Sequence, residues 1–355
     1  MEVKMKRFAV LILAISLVLF GVSANSVWAQ SVVIKFGHAG MSKPNPADAF
    51  AETFKELVEL WSGGDIKIEI FGKAQLGGEQ QMTQALQLGT LEMQWVAINN
   101  LTPRVRSLGF FNLPYVVSSL EEAYRIHDAA TKHAQNWTIK EANVRLLGWE
   151  AMGFRAFFNS KRPINHPSDM KGLVWRVPKA DILVGNYEAW GVHPQPMAWH
   201  ELFNALTQGV VHGGGNPIDD IVSAKLYEPC KYITQMHYNL LQHCVLIAEP
   251  FYQKLTQEQK DIIEKAGVET TRWLRWWMEN LQQPRQLLTL KGKPGMKFND
   301  PADETEFAVL AQKNWPKYYK TIGRGDAKRG EQIVQEAAKI AKGEMKTFSD
   351  NLIMK

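Results

Sequence analysis

Ile66-Lys67-Ile68-Glu69-Ile70-Phe71 alternates apolar and polar side chains without a break, the period of two that puts every second residue on one face of a β-strand. On its N-terminal side, Gly63-Gly64 stops an amphipathic helix with Phe50, Phe54, Leu57 and Trp61 at helical spacing. Before that helix lies the polar loop Ser42-Lys43-Pro44-Asn45-Pro46, and before the loop a first strand, Val32-Val33-Ile34-Lys35-Phe36-Gly37. On its C-terminal side, Gln75-Leu76-Gly77-Gly78-Glu79 turns into a helix running to Leu88, and Leu91–Ala97 is the third strand. Strand, helix, strand, helix and strand at this spacing predict an α/β sheet built of βαβ units. Ligands on such sheets bind outside the carboxyl ends of the strands, so the loops after Phe36, Phe71 and Ala97 belong at a cleft.

Further along, the pattern predicts a helix from Ser119 to about Glu141, strands at Arg145–Trp149, Ala156–Asn159 and Val174–Pro178, and helices over Asp181–Trp190 and Trp199–Gln208. Val210-Val211-His212-Gly213-Gly214-Gly215-Asn216-Pro217 reads as a strand-to-loop-to-helix passage, with the glycine run in the loop. Gln257 to about Leu290 reads as one long helix carrying Ile262, Ile263, Ala266, Trp273, Trp276 and Trp277. A helix that long suggests a strut across two lobes, and its tryptophans read as lobe packing or a dimer face. The expected division is residues 30–152 with 243–281 in one lobe and 153–242 with 282–355 in the other.

Within Lys171-Gly172-Leu173-Val174-Trp175-Arg176-Val177-Pro178, Arg176 stands alone in an apolar strand. Arg155 stands in the aromatic run Gly153-Phe154-Arg155-Ala156-Phe157-Phe158. An unpaired buried charge costs several kcal/mol, and no Asp or Glu alternates with either arginine along its own segment. Two guanidiniums aimed into one cleft make a planar, bidentate clamp for a carboxylate or sulfonate. Around them the readings are plainer. Trp95, Trp149 and Trp175 lie on strands as core residues, Trp175 alternating away from Arg176. Glu150 either faces the cleft beside Arg155 or pairs with it. His38 touches ligand or is a solvated loop histidine. Glu79, in the first turn of a helix, suits the helix dipole whatever the function.

The chain has 355 residues, 45% hydrophobic and 22% charged, a length suited to two domains. Lys4, Lys6 and Arg7, then an apolar run from Phe8 to Val22, then Val27-Trp28-Ala29, describe a signal peptide cleaved after Ala29, which exports the chain. Its removal takes three positive charges and one negative with it, and the net charge falls from +5 to +3. The positive charges are scattered, without the basic stripe and interleaved aromatics that nucleic acid needs. Cys230 and Cys244 sit in a compartment that permits a disulfide, though sequence does not supply the geometry. His200-Glu201-Leu202-Phe203-Asn204 nearly spells a zinc-protease helix, but Asn204 stands where the second histidine must be. His212-Gly213-Gly214-Gly215 looks like a lipase oxyanion loop with no Gly-x-Ser-x-Gly elbow to serve. Neither a catalytic nor a metal or cofactor site assembles, and no enzymatic activity is expected.

The order of these motifs resembles the solute-binding subunit of TRAP (tripartite ATP-independent periplasmic) transporters, of the DctP type. The resemblance rests on Ile34–His38, Gln75–Glu79, Leu86–Glu92, Leu113-Pro114-Tyr115, Asn159–Ile164, Asp169–Leu173, Pro194–Ala198, Leu206–Val211 and Asn216-Pro217. It covers nearly the whole mature chain. It implies a two-lobed periplasmic-binding-protein-like α/β fold that closes about a hinge on a small organic anion and delivers it to membrane permease subunits. In the family, the arginine at Arg176 pairs with the ligand carboxylate, Arg155 matches a second ligand-facing arginine, Asn216 an asparagine that helps hold the carboxylate, and Trp199 an aromatic against the ligand. Where the family usually reads Asp-Gly-Gln-Glu-Asn-Pro this chain reads His212-Gly213-Gly214-Gly215-Asn216-Pro217, and Asn99 and Asn100 stand near where sugar-acid binders can carry an acid. These departures remove acceptors, so they predict a roomier, less acidic pocket, a ligand that is neither heavily hydroxylated nor amine-bearing and is other than sialic acid, and Gly215 as a close backbone approach to it. Two rival readings stay open: a sensor reporting to a membrane histidine kinase, and the binding protein of an ATP-driven importer.

Overall fold

The computed structural model describes residues 32–301 and 303–354, so the leader expected over residues 1–29 lies outside the described residues. The alternation at Ile66–Phe71 does make a strand, β2, and it pairs in parallel with β1 (Val32–Gly37), Ile34 opposite Ile68. With β3 (Met93–Ala97), β4 (Val144–Phe154) and β10 (Leu240–Ala248) they form a five-stranded sheet in the order β2-β1-β3-β10-β4, the last two joining antiparallel. Helix Pro46–Trp61 covers one face. It starts where the Asn45 side chain accepts the Asp48 amide at 3.0 Å, with proline at the first helical position. Phe50 and Phe54 then pack edge-on to Phe36 of β1, and the helix stops before Gly63 and Gly64, whose φ of +58° and +86° suits glycine.

The second sheet has six strands, ordered β11-β9-β5-β8-β6-β7, from β5 (Ala156–Asn159), β6 (Val174–Val177), β7 (His193–Pro196), β8 (Gly213–Asn216), β9 (Tyr232–Thr234) and β11 (Lys297–Asn299). Here the glycine run departs from expectation: it is a strand, β8, in the middle of the sheet rather than a loop. The reason is steric. A Cβ at Gly213 would stand 2.3 Å from the Phe158 carbonyl oxygen and 2.9 Å from the Trp175 ring; at Gly214, 2.7 Å from the Phe158 ring; at Gly215, 2.2 Å and 2.4 Å from the Tyr238 and Tyr187 hydroxyls. Large aromatic side chains from neighbouring elements fill the space that side chains on β8 would need.

The chain crosses between sheets at two places that touch. Arg155 is the single residue between β4 and β5, and Asn239 immediately precedes β10. The Arg155 amide donates to the Asn239 carbonyl at 2.9 Å, tying the crossings together. The expected long helix is the third link. Gln257–Trp277 buries Ile263, Ala266 and Leu274 in the core of the first sheet, and Gln283–Lys291 buries Leu290 in a core of the second. Between them Met278–Gln282 forms a π turn. Pro284, two residues further on, has no N–H to return to the preceding turn, which accounts for the break in the α pattern. Trp277 packs on the first-sheet core, whereas Trp273 and Trp276 are exposed.

The C-terminal helices correct the expected division of the chain. Ile333, Ala337 and Ile340 of helix Ala327–Ala341 pack with Ala130, Ala134 and Trp137 of helix Leu120–Ala142 in the first lobe, and the Trp137 indole donates to the Leu352 carbonyl at 2.9 Å. Residues from Pro316 onward therefore belong with the first sheet and not with the second. Cys230 and Cys244 are both buried and unpaired. No helix among the described residues is long and apolar enough to cross a membrane.

Candidate ligand-binding site

A cleft lies between the sheets, where the loop after β1, the end of β3, the crossing residues, β6 and the end of β8 converge to enclose a cavity. Arg155, Arg176, Asn216, Trp199 and Asn99 all line it. Arg155, 2% exposed, is held by neutral acceptors alone. Its Nε donates to Asn239 Oδ1 at 3.0 Å, Nη1 to the Gly215 carbonyl at 2.8 Å and Nη2 to Asn99 Oδ1 at 3.0 Å. Those partners come from a crossing, the second sheet and the first lobe, so one guanidinium is positioned by all three. Of its five N–H bonds, one on each Nη is still free of these contacts.

Arg176 is 3% exposed and less satisfied: Nη2 donates to the Met197 carbonyl at 3.1 Å, and Nε is buried without a protein partner. Its guanidinium carbon lies 5.7 Å from the centre of the Trp199 ring, a cation–π contact. Burial, reinforced by the like charge of Arg155, brings its pKa down to about 10, so it is still a cation at neutral pH. Neither guanidinium makes an ion pair among the described residues.

Two carboxylates that the sequence reading assigned elsewhere or passed over also face this cavity. Glu79, read as a dipole residue, accepts from the Asn100 amide and the Ala97 N–H, and burial raises its pKa to about 7. Asp220 accepts from Asn216 Nδ2 at 2.8 Å; burial raises its pKa, opposed by Asn216 and by the two arginines. Two carboxylates thus line a pocket whose missing side chain at position 215 suggested fewer acceptors, and both can accept from ligand hydroxyls. His243, also on the wall, stacks on Trp95 at 5.2 Å, and burial pushes its pKa down to about 3. Trp95 is therefore both core and wall.

Three expected site residues stand outside the cavity lining. His38 is fully buried behind the loop after β1. Its Nδ1 accepts the Gly40 amide at 3.2 Å and its Nε2 lies 3.4 Å from Asp48, so it is neither solvated nor at the wall but braces the loop that is. Glu150 neither faces the cleft nor pairs with Arg155. It accepts from the Tyr124 hydroxyl at 2.9 Å and lies 3.6 Å from Arg275 on the far side of β4. Gly215 contributes its carbonyl to Arg155, and its missing side chain makes room for Tyr187 and Tyr238 rather than for a ligand.

A family model described as bacterial extracellular solute-binding protein, family 7, matches residues 36–321. The chain belongs to this family. It is similar to the C4-dicarboxylate-binding periplasmic protein DctP of Rhodobacter capsulatus, 28% identical over 68% of this chain and 73% of the relative. Among solved TRAP periplasmic solute-binding proteins of the same two-lobed fold, that of Polaromonas sp. JS666, bound to D-erythronate, has 26% identity and a TM-score of 0.80, covering 87% of this chain and 98% of its own. That of Roseobacter denitrificans, with bound L-galactonate, has 28% identity and a TM-score of 0.74, covering 81% and 94%. The chain is accordingly a TRAP-type solute-binding protein of a periplasmic transport family, and its Rhodobacter, Polaromonas and Roseobacter relatives bind small organic acids.

Proposed function

We propose that this protein captures a small organic acid between its lobes through an arginine clamp formed by Arg155 and Arg176, and hands it to the membrane permease subunits of a TRAP transporter. The observation that carries this reading is the pair of buried guanidiniums on one cavity wall, held by neutral acceptors, with Arg176 Nε unpartnered. An anion in the cavity would give the guanidiniums the direct ion pair that no carboxylate among the described residues makes with them, and its planar carboxylate or sulfonate would match the fork. Asn99 fixes the Arg155 fork from the first lobe, and Trp199 shields Arg176. Glu79, Asp220 and Asn100 offer polar partners to hydroxyl groups, which favours a hydroxylated acid of the kind bound by the Polaromonas and Roseobacter relatives.

Export and cleavage after Ala29 would place the protein in the periplasm, where the permease could receive the closed, loaded form. Because residues of both lobes line the cavity, the ligand has its differential affinity for the closed state and shifts the population toward it. A thermal-shift screen of carboxylic and sulfonic acids tests the reading, since a ligand at 100 times its Kd stabilises by about 2.7 kcal/mol. Small-angle scattering with the best ligand should then show a smaller radius of gyration. No stabilisation by any acid would end the proposal.

A further inference from the structure

The titratable side chains on the cavity wall are Arg155, Arg176, Glu79, Asp220 and His243. Burial keeps His243 neutral, and a guanidinium is a cation at neutral pH. With both carboxyls ionised, two positive charges face two negative ones and the wall sums to zero. An organic acid seated on the arginines adds a negative charge and leaves that sum uneven. Uncompensated charge away from water is costly, and a titratable group relieves it by changing its protonation state. Loading the cleft with an anion should therefore draw a proton onto one of the two carboxyls.

The surroundings of the two carboxyls differ. Glu79 begins helix Glu79–Leu88, which carries no other charge, and its side chain is 8% exposed. Its oxygens accept from neutral donors alone, the Asn100 amide and, at 3.4 Å, the Ala97 N–H. From β10, the neutral His243 lies 4.0 Å away, and burial pushes the nearby Cys244 thiol up. At the mouth of the cleft, Lys179, His200 and Glu201 share a second cavity with Glu79, but they are exposed and screened by water. From the second lobe, Arg176 favours the ionised form of Glu79 and Asp220 opposes it. Asp220, by contrast, accepts from Asn216 and has both arginines favouring its ionised form. Burial already lifts the Glu79 pKa to about 7, so a further negative charge in the cavity carries it above neutrality. We propose that Glu79 is a proton-binding site coupled to the ligand, so that the cleft takes up one organic anion together with one proton from solvent. This rests on the clamp reading and adds a second, linked occupant to it. Once protonated, Glu79 can accept from Asn100 through one oxygen and donate from the other.

The test is calorimetry on the full mature chain with D-erythronate, L-galactonate, lactate and methanesulfonate, anions that stay ionised throughout. Titrations in pairs of cationic amine buffers with different heats of ionisation read the protons taken up, without a buffer anion competing for the arginines. The sign follows from linkage. Below the Glu79 pKa of the free protein the group is protonated with or without ligand, and affinity is level. Above that pKa, and up to the higher one of the complex, binding takes up a proton and Kd weakens by up to about tenfold per pH unit. The wild type should thus gain about half a proton or more per anion at about pH 7.5. Glu79→Gln, neutral at every pH, should lose the uptake and hold a level Kd across about pH 6 to 8.5. Asp220→Asn removes the charge that opposes ionisation of Glu79, so it should move the uptake to lower pH without abolishing it. Should the glutamine variant not fold, infrared difference spectra of the wild type serve in its place, and added erythronate should produce a protonated-carboxyl band. Binding by the wild type without proton uptake or without that band, uptake that persists in Glu79→Gln, or uptake abolished at every pH in Asp220→Asn overturns the assignment while leaving the clamp standing. Failure of every acid and sulfonate to bind overturns both.

Discussion

Replacing Arg176 with methionine should move two measurements in opposite directions. In the unliganded protein the guanidinium is buried beside the like charge of Arg155, and its pKa of about 10 corresponds to a penalty on the charged form of about 3 kcal/mol. Against this stand the hydrogen bond to the Met197 carbonyl, worth about 1 kcal/mol, and the cation–π contact with Trp199, worth about another 0.5–1 kcal/mol. Methionine keeps the bulk of the aliphatic stem, so no large cavity offsets the gain. The unliganded variant should therefore be as stable as the wild type or up to about 1–2 kcal/mol more so. Ligand binding should suffer instead. Removing one partner of a desolvated charge pair costs about 2–5 kcal/mol, roughly 30- to several-thousand-fold in Kd. Arg176→Lys should fall in the same direction, because an ammonium cannot reproduce the fork. Thermal unfolding of the unliganded proteins and calorimetry with the acid found by screening read the two effects separately. If Arg176→Met bound that acid with wild-type affinity, or lost several degrees of Tm while binding normally, Arg176 would be a structural residue and the clamp reasoning would be wrong.

Gly215→Ala would set a Cβ within 2.4 Å of two tyrosine hydroxyls. It should cost about 1–3 kcal/mol of stability, with the folded fraction keeping its affinity; adding Tyr187→Phe should recover part of the Tm, and a loss of affinity at unchanged Tm would return the glycine to the ligand site. Asp219 is 2% exposed, and burial with the like charge of Asp220 raises its pKa to about 8. Such a group stabilises the fold fully below its ordinary pKa, and the contribution is lost as pH rises toward 8. Unliganded stability should accordingly fall from pH 5 to 7.5 less steeply in Asp219→Asn, by up to about 1.4 kcal/mol per pH unit; parallel curves would contradict this. Cys230 and Cys244 are buried and unpaired, and burial pushes the Cys230 thiol up to about 12. Both should react with a thiol reagent only on unfolding, and a native disulfide seen by mass spectrometry would refute it.

What the sequence determined by itself was local and periodic. The alternation at Ile66–Phe71, the helical spacing of Phe50 and Phe54 and the glycine stops are set by residues within a few positions of each other, and the strands and helices they predict are present. Arg155 and Arg176 were legible for a related reason: a charge in an apolar segment has to be answered from outside that segment. The answer itself was not legible. Asn99, Gly215 and Asn239, which hold Arg155, come from three separate stretches, and only the meeting of the chain crossings brings them together. Glu79 read as an ordinary helix-start acid and Asp220 was passed over, because nothing local distinguishes an acid facing solvent from one facing a cavity. The glycine run read as a loop because its reason lies in Phe158, Trp175, Tyr187 and Tyr238, side chains whose bulk reaches β8 only in the assembled sheet. The C-terminal helices were assigned to the wrong lobe because an amphipathic face announces that it will be buried but not against what; the surface of helix Leu120–Ala142, almost two hundred residues earlier, decided that.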